Sequence, residues 1–180
     1  MSLEKFLHMF PPPKTPTGAP TANEWNRIQN KLSESLPDEL FRFHAAYGVG
    51  TFRGEETTAL SVCFPSAYDS IENTHHELQR LRDIRGASRS EDQPFDVFPD
   101  SGGLLPLGLD ENDVWLCWAT VGRPENWPIV VRWTWGVQGM RTFHMPLSEL
   151  MVALFERTIE LPCWPLPTFI DNVRFVPYQA

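Results

Sequence analysis

Residues 129–135 alternate Ile129, Val131, Trp133 and Trp135 against Val130, Arg132 and Thr134. Only an extended chain, whose side chains point to opposite faces with period two, gathers the first four on one side. A strand this apolar has to pair with neighbours and be covered, so the chain has to build a sheet with at least one packed face. The flanking sequence supplies the partners. Val114-Trp115-Leu116-Cys117-Trp118 reads as a strand with its two indoles on opposite faces, and residues 140–145 form another behind the hairpin turn 136–139. Leu104-Leu105-Pro106-Leu107-Gly108 leads into the acidic turn Asp110-Glu111-Asn112-Asp113, and residues 122–126 make the turn between the Trp strands. Earlier, Thr51-Phe52 and residues 59–64 are strand-like, joined by the hydrophilic stretch 53–57.

Helical spacing fills the intervals. Trp25, Ile28 and Leu32 fall at i, i+3 and i+7 behind a Thr21 or Asn23 N-cap with Glu24 near the positive helix end. Pro37, Asp38 and Glu39 open a second helix carrying Leu40, Phe41 and Phe43, ended by Gly48 and Gly50. Residues 66–85 are helical, with Ile71, Leu78 and Leu81 inward, Glu77, Arg80, Arg82 and Asp83 solvated, and Gly86 as C-cap. Residues 87–100 read as a surface loop anchored by Phe95 and Phe98. A last helix starts at Pro146-Leu147 and stops at Leu161-Pro162. This order of helices and strands predicts a single-domain α+β fold with a mixed or mostly antiparallel sheet and helices packed around it. Before it stands a Pro-rich arm, residues 1–22, whose Leu3, Phe6, Leu7 and Phe10 either dock against the domain or belong to a mobile arm. The domain spans 23–161, and an apolar tail, 162–180, packs along it.

Charge narrows the partners. Fifteen basic against 23 acidic side chains give −8, with a pI near 5.1. Direct nucleic-acid binding needs Lys and Arg to replace phosphate counterions, and an anionic membrane surface makes the same demand. Neither fits. Three widely spaced cysteines, Cys63, Cys117 and Cys163, signal neither a disulfide framework nor a zinc knuckle. No apolar run reaches the ~18 residues of a membrane span, nor does the start read as a secretion signal, so a cytoplasmic protein is expected.

Catalytic and metal motifs do not emerge. His75 and His76 are adjacent, and helix neighbours cannot share a metal. His44 sits among aromatic residues as a core histidine, while His8 and His144 have no sequence partner. The acidic turn lacks the alternating ligand spacing of a calcium loop and reads as turn chemistry. Asp100-Ser101-Gly102-Gly103 follows a proline rather than a strand and has no phosphate-binding Lys. Ser61, Ser66 and Ser101 lie in no nucleophile elbow. Trp115, Trp118, Trp133 and Trp135 are accounted for by sheet packing, whereas Trp127, next to Pro128 in a turn, is the candidate for an exposed anchor.

Four segments in order carry a family resemblance: Trp25 and Ile28 followed by Leu36-Pro37-Asp38-Glu39-Leu40; Tyr47-Gly48-Val49-Gly50-Thr51-Phe52; Leu104 to Asp110 before Asn112-Asp113-Val114-Trp115-Leu116; and Trp127-Pro128-Ile129-Val130-Val131 with residues 143–155. Over roughly residues 23–161 the chain resembles the SUKH superfamily, or Smi/Knr family. The Pro-rich arm and apolar tail depart from that pattern. The resemblance implies an α+β domain without catalytic set or cofactor. It also implies an immunity protein that binds and neutralises a cognate polymorphic toxin, such as a nuclease, or else a regulatory or scaffold protein. A −8 chain is steered toward a basic nuclease cleft. The expected contact residues are Asp110, Glu111, Asp113, Glu55, Glu56 and Asp100, with Trp127 as the anchor. Two rival readings stand beside it: an enzyme using paired carboxylates, and a small-molecule module using the Trp-rich sheet.

Overall fold

A computed structural model describes residues 3–54, 59–62, 71–87, 94–134, 139–164 and 172–178. Among them are five α-helices, α1 (Leu3–Met9), α2 (Ala22–Leu32), α3 (Asp38–Tyr47), α4 (Ile71–Ala87) and α5 (Leu147–Phe155). Seven strands accompany them: β1 (Gly50–Arg53), β2 (Ala59–Val62), β3 (Leu104–Asp110), β4 (Trp115–Ala119), β5 (Ile129–Trp133), β6 (Gly139–Phe143) and β7 (Arg174–Pro177). All strand pairs are antiparallel in the order β6-β5-β4-β3-β2-β1-β7. Strands β1 to β6 thus form a meander, and β7 returns from the far end of the chain to pair with β1. The fold is α+β.

Register follows from the sequence alternation. Trp118 pairs with Ile129, and Ile129 with Phe143, on one face. Trp115, three residues from Trp118, lies opposite Arg132 on the other. Strands β4 and β5 are buried at every position, so both faces are covered. Pro106 offers no amide to the ladder, and the pairing shifts register between Pro106 and Gly108, a bulge that lets proline sit inside a sheet.

On the Trp118 face lie α1, α3 and α5, whose aromatic residues converge on β1 and β7. Phe6 and Tyr47 sit 5.6 and 5.3 Å from Phe52, and Phe175 is 4.9 Å from Tyr47 and 5.1 Å from Phe52 between ring centroids. The Pro-rich arm therefore docks: Phe6 is fully buried, and the backbone amide of Val49 donates to Thr17 O at 2.8 Å. Gly48, with φ +68°, makes that approach possible, because a Cβ there would stand 2.0 Å from Thr17 O. Outside α3, Trp25 of α2 packs on Phe41 at 5.6 Å. Thr21 caps α2 in a full capping box with Glu24, which decides between the two expected caps.

Opposite, α4 covers the Trp115 face through Leu78 and Leu81. Glu77, expected in solvent, is buried there, its charge offset by Arg80 at 2.9 Å, and Arg80 in turn lies over the Trp115 ring at 4.9 Å. Gly86 lies inside α4 and does not cap it, and α5 ends at Phe155 rather than at Leu161. Arg157 adopts a left-handed conformation just beyond that end. Cys63, Ser66 and Trp135 fall outside the described residues.

Candidate functional site: an acidic groove at three proline-led turns

The structure divides the expected contact residues between opposite ends of the sheet. Glu111 and Asp113 occupy the β3–β4 turn, while Trp127 belongs to the β4–β5 connection at the other end of β4. Asp100 shares that second end, where Thr120, just after β4, donates its amide to Gly103 O at 3.1 Å. Glu55 and Glu56 lie outside the described residues.

Two expectations change on inspection of the turn. Asp110 is not a surface acid: it is 4% exposed, and its carboxylate accepts hydrogen bonds from the amides of Asn112 (2.7 Å) and Val114 (2.8 Å) and from Trp164 Nε1 (2.7 Å). Burial raises its carboxyl above the usual aspartate range, against the pull of those three donors. It shapes the turn and pins the segment after α5 to it. Glu111 and Asp113 are exposed but already paired, with Arg53 at 3.1 Å and Arg80 at 2.6 Å. Trp127 is the second change: it is 5% exposed, its ring 6.0 Å from Trp118, its Nε1 donating to Gly122 O at 3.3 Å. Pro124–Asn126 form a 3-10 turn that folds the indole back under the connection instead of projecting it.

That folding builds a concave site. Trp118 and Trp127 floor a groove of about 280 Å³ walled by Leu3 and Glu4 of α1, residues 37–39 and Arg42 at the start of α3, Pro124 and Glu125, and residues 145–147. Three prolines set its walls: Pro37 and Pro146 stand at the N-caps of α3 and α5, and Pro124 begins the 3-10 turn. Proline's fixed φ suits a helix start, where its missing amide costs nothing. Three of the chain's 17 prolines thus serve one place.

The carboxylates of the groove have different tasks. Glu39 reaches from α3 to the start of α5, accepting from the amides of Leu147 at 2.8 Å and Ser148 at 3.1 Å and from the Ser148 hydroxyl. It satisfies orphan amides that Pro146 has no side chain to cap. Glu4 pairs with Arg42 at 2.7 Å. Asp38 and Glu125 are exposed and form no ion pair among the described residues. Four carboxylates face one guanidinium, and the ends of α3 and α5 add about half a positive charge each, so the groove keeps roughly two negative charges.

No family model, curated protein or solved structure matches the chain. The SUKH resemblance therefore rests on the residues that carry it.

Elsewhere, burial favours the uncharged forms of His44, Cys117 and Cys163. Burial drives the His44 imidazole down to about 4, partly offset by the Gly48 carbonyl 3.4 Å from Nδ1. Burial pushes the Cys117 and Cys163 thiols up to about 12, and both are free. No group of three His, Cys, Asp or Glu side chains suited to a metal occurs among the described residues. Nor does any described helix have the length and apolarity to cross a membrane. Sequence reasoning missed Asp38, Glu4 and Glu125 as members of one site. Their only sequence signal is that each lies within a residue of a helix start or a proline, and their convergence depends on contacts between segments distant in sequence, α1 with α3 and both with the turn at Pro124.

Proposed function

We propose that the protein is a non-enzymatic binding domain that neutralises a basic protein partner, in the manner of an immunity protein acting on a cognate toxin. The observation that carries this reading is the groove: an indole floor under an acidic rim, at a place where no ion pair among the described residues consumes Asp38 and Glu125. Interfaces draw affinity from aromatic anchors in desolvated pockets and draw speed and partner choice from complementary charge. The overall charge of −8 extends the same field beyond the groove. A nuclease, which must present a basic cleft to phosphates, is a partner of matching sign.

The test is co-expression with the product of the adjacent gene, followed by titration of the purified pair at low and physiological salt. A complex that weakens with salt and silences the partner's activity is expected. Absence of a complex, or one whose affinity ignores salt, would overturn the reading.

A further inference from the structure

We infer that the layer between α4 and the sheet binds a small oxyanion through the Arg132 guanidinium and the Trp115 indole N–H of the sheet and the Thr74 hydroxyl of α4. This site goes beyond the protein-binding reading and shares no residue with the groove. Arg132 stands directly opposite Trp115 across the β4–β5 ladder, so both side chains leave the sheet on the α4 side. Thr74 belongs to the inward stripe of α4, one turn before Glu77 and Leu78 and two before Leu81. Arg132, Trp115 and Thr74 are 3%, 0% and 0% exposed. Yet Arg132 Nη1, Trp115 Nε1 and Thr74 Oγ1 have no hydrogen-bond partner among the described residues. Buried polar atoms are normally paired, so three unpaired ones in a single layer point to a ligand. The Thr51 hydroxyl is unpaired on the same face, but it lies three strands from Trp115, about 14 Å away, and is outside the site.

The donors set the sign of the ligand. A guanidinium and an indole can only donate, and a threonine hydroxyl can donate as well, so what they share is an acceptor. Charge narrows the choice. On the same face Arg80, over the Trp115 ring, is balanced by Glu77 and Asp113. Arg132 has no such balance: no Asp or Glu pairs with it among the described residues, and the one ionisable group acting on it is the Cys117 thiol, which burial pushes up to about 12 and so keeps neutral. A buried guanidinium without counter-charge is strongly unfavourable. Water would satisfy its N–H groups and leave the charge; an oxyanion meets both needs, two of its oxygens matching two nitrogens of the planar fork. A cation would be repelled, and an apolar group would leave every donor unpaired. The near-complete burial of Arg132 restricts the ligand to a compact group, a phosphate or a carboxylate rather than a nucleic-acid strand.

The experiment follows thermal unfolding of the full chain, dialysed into chloride buffer, as sodium phosphate, sodium acetate or sodium chloride is added at equal ionic strength. Phosphate or acetate is expected to raise Tm with the logarithm of its concentration, by about 3–6 °C at ten times its Kd, while chloride does not. The stronger of the two identifies the oxyanion as phosphate or carboxylate. In ¹⁵N-labelled protein the same salt should move the Trp115 indole N–H and the Arg132 Nε–H resonances saturably. Arg132→Met, which keeps the bulk and removes the charge, should weaken the response at least tenfold and should match or exceed the wild-type Tm in chloride, where nothing balances the cation. Thr74→Val, isosteric and uncharged, should bind several-fold more weakly with an unchanged amide spectrum, and it carries the test if the Arg132 variant does not fold. Equal Tm in the three salts, unmoved resonances, or variants that respond like the wild type would overturn the inference. So would an Arg132→Met protein that loses as much Tm in chloride as in phosphate, because the chain itself would then be pairing the guanidinium.

Discussion

His44 gives the fold a pH dependence that can be worked out in advance. The imidazole is 1% exposed on α3, between Trp25 and Phe43, and its Nε2 has no hydrogen-bond partner among the described residues. Burial lowers it from an ordinary 6.5 to about 4, so the native state holds it neutral while the unfolded chain protonates it. The depressed value fixes the sign: the contribution is fully present above pH 6.5 and is lost as pH falls toward 4. The gap of about 2.5 units corresponds to about 3 kcal/mol in all, of which about 2 kcal/mol disappears between pH 7 and pH 5. For a chain of this size that is a drop of about 4–8 °C in Tm. Urea unfolding of the wild type and His44→Leu at both pH values isolates the effect, because the carboxylates titrate in both proteins. The wild type should lose about 2 kcal/mol more than the variant over that interval. Equal losses would mean that His44 is solvated or paired in the native state, and the burial argument would be wrong.

Three further outcomes follow from contacts described above. Glu39→Ala removes the acceptor at the start of α5 and should cost about 1–2 kcal/mol in urea unfolding; a neutral effect would show that water caps those amides equally well. Gly48→Ala combines positive φ with a Cβ 2.0 Å from Thr17 O and should destabilise by at least about 2 kcal/mol. In that variant the arm should become sensitive to limited proteolysis before the sheet does. In a Cys63→Ser background, Cys117 and Cys163 should resist a thiol reagent at pH 8 and react fully in denaturant. Rapid labelling of the native protein would contradict their burial.

The α+β class and most elements were legible because each was announced locally. Thr21 and Glu24 mark the start of α2, Pro37 that of α3, and the alternation of Ile129, Val131 and Trp133 fixes β5. What escaped depended on the partner of a segment rather than on the segment. Arg132 and Glu77 look like solvent-facing polar residues in sequence, yet both are buried, because α4 closes the second face of the sheet. Trp127 looks like an exposed turn aromatic until the 3-10 turn at Pro124 folds it inward. Asp110 has the composition of a surface loop, but its acceptor geometry is spent on Asn112, Val114 and Trp164. In the same way, the acidic run at 110–113 is conspicuous in sequence and neutralised in space, while the scattered Glu4, Asp38 and Glu125 are inconspicuous and convergent.

The ring cluster of Phe6, Tyr47, Phe52 and Phe175 bears on how fast the protein comes apart. Strands β3 to β6 pair with sequence neighbours, and such local contacts form early and at little loop-closure cost. The cluster has to bring residue 6 to residue 175, so it is expected to assemble after the meander and to contribute little to the folding transition state. Interactions absent from that transition state act on the rate of unfolding. Stiffening or loosening the β1–β7 seam through Phe175 would therefore lengthen or shorten the lifetime of the native state, while the meander refolds at nearly the same speed.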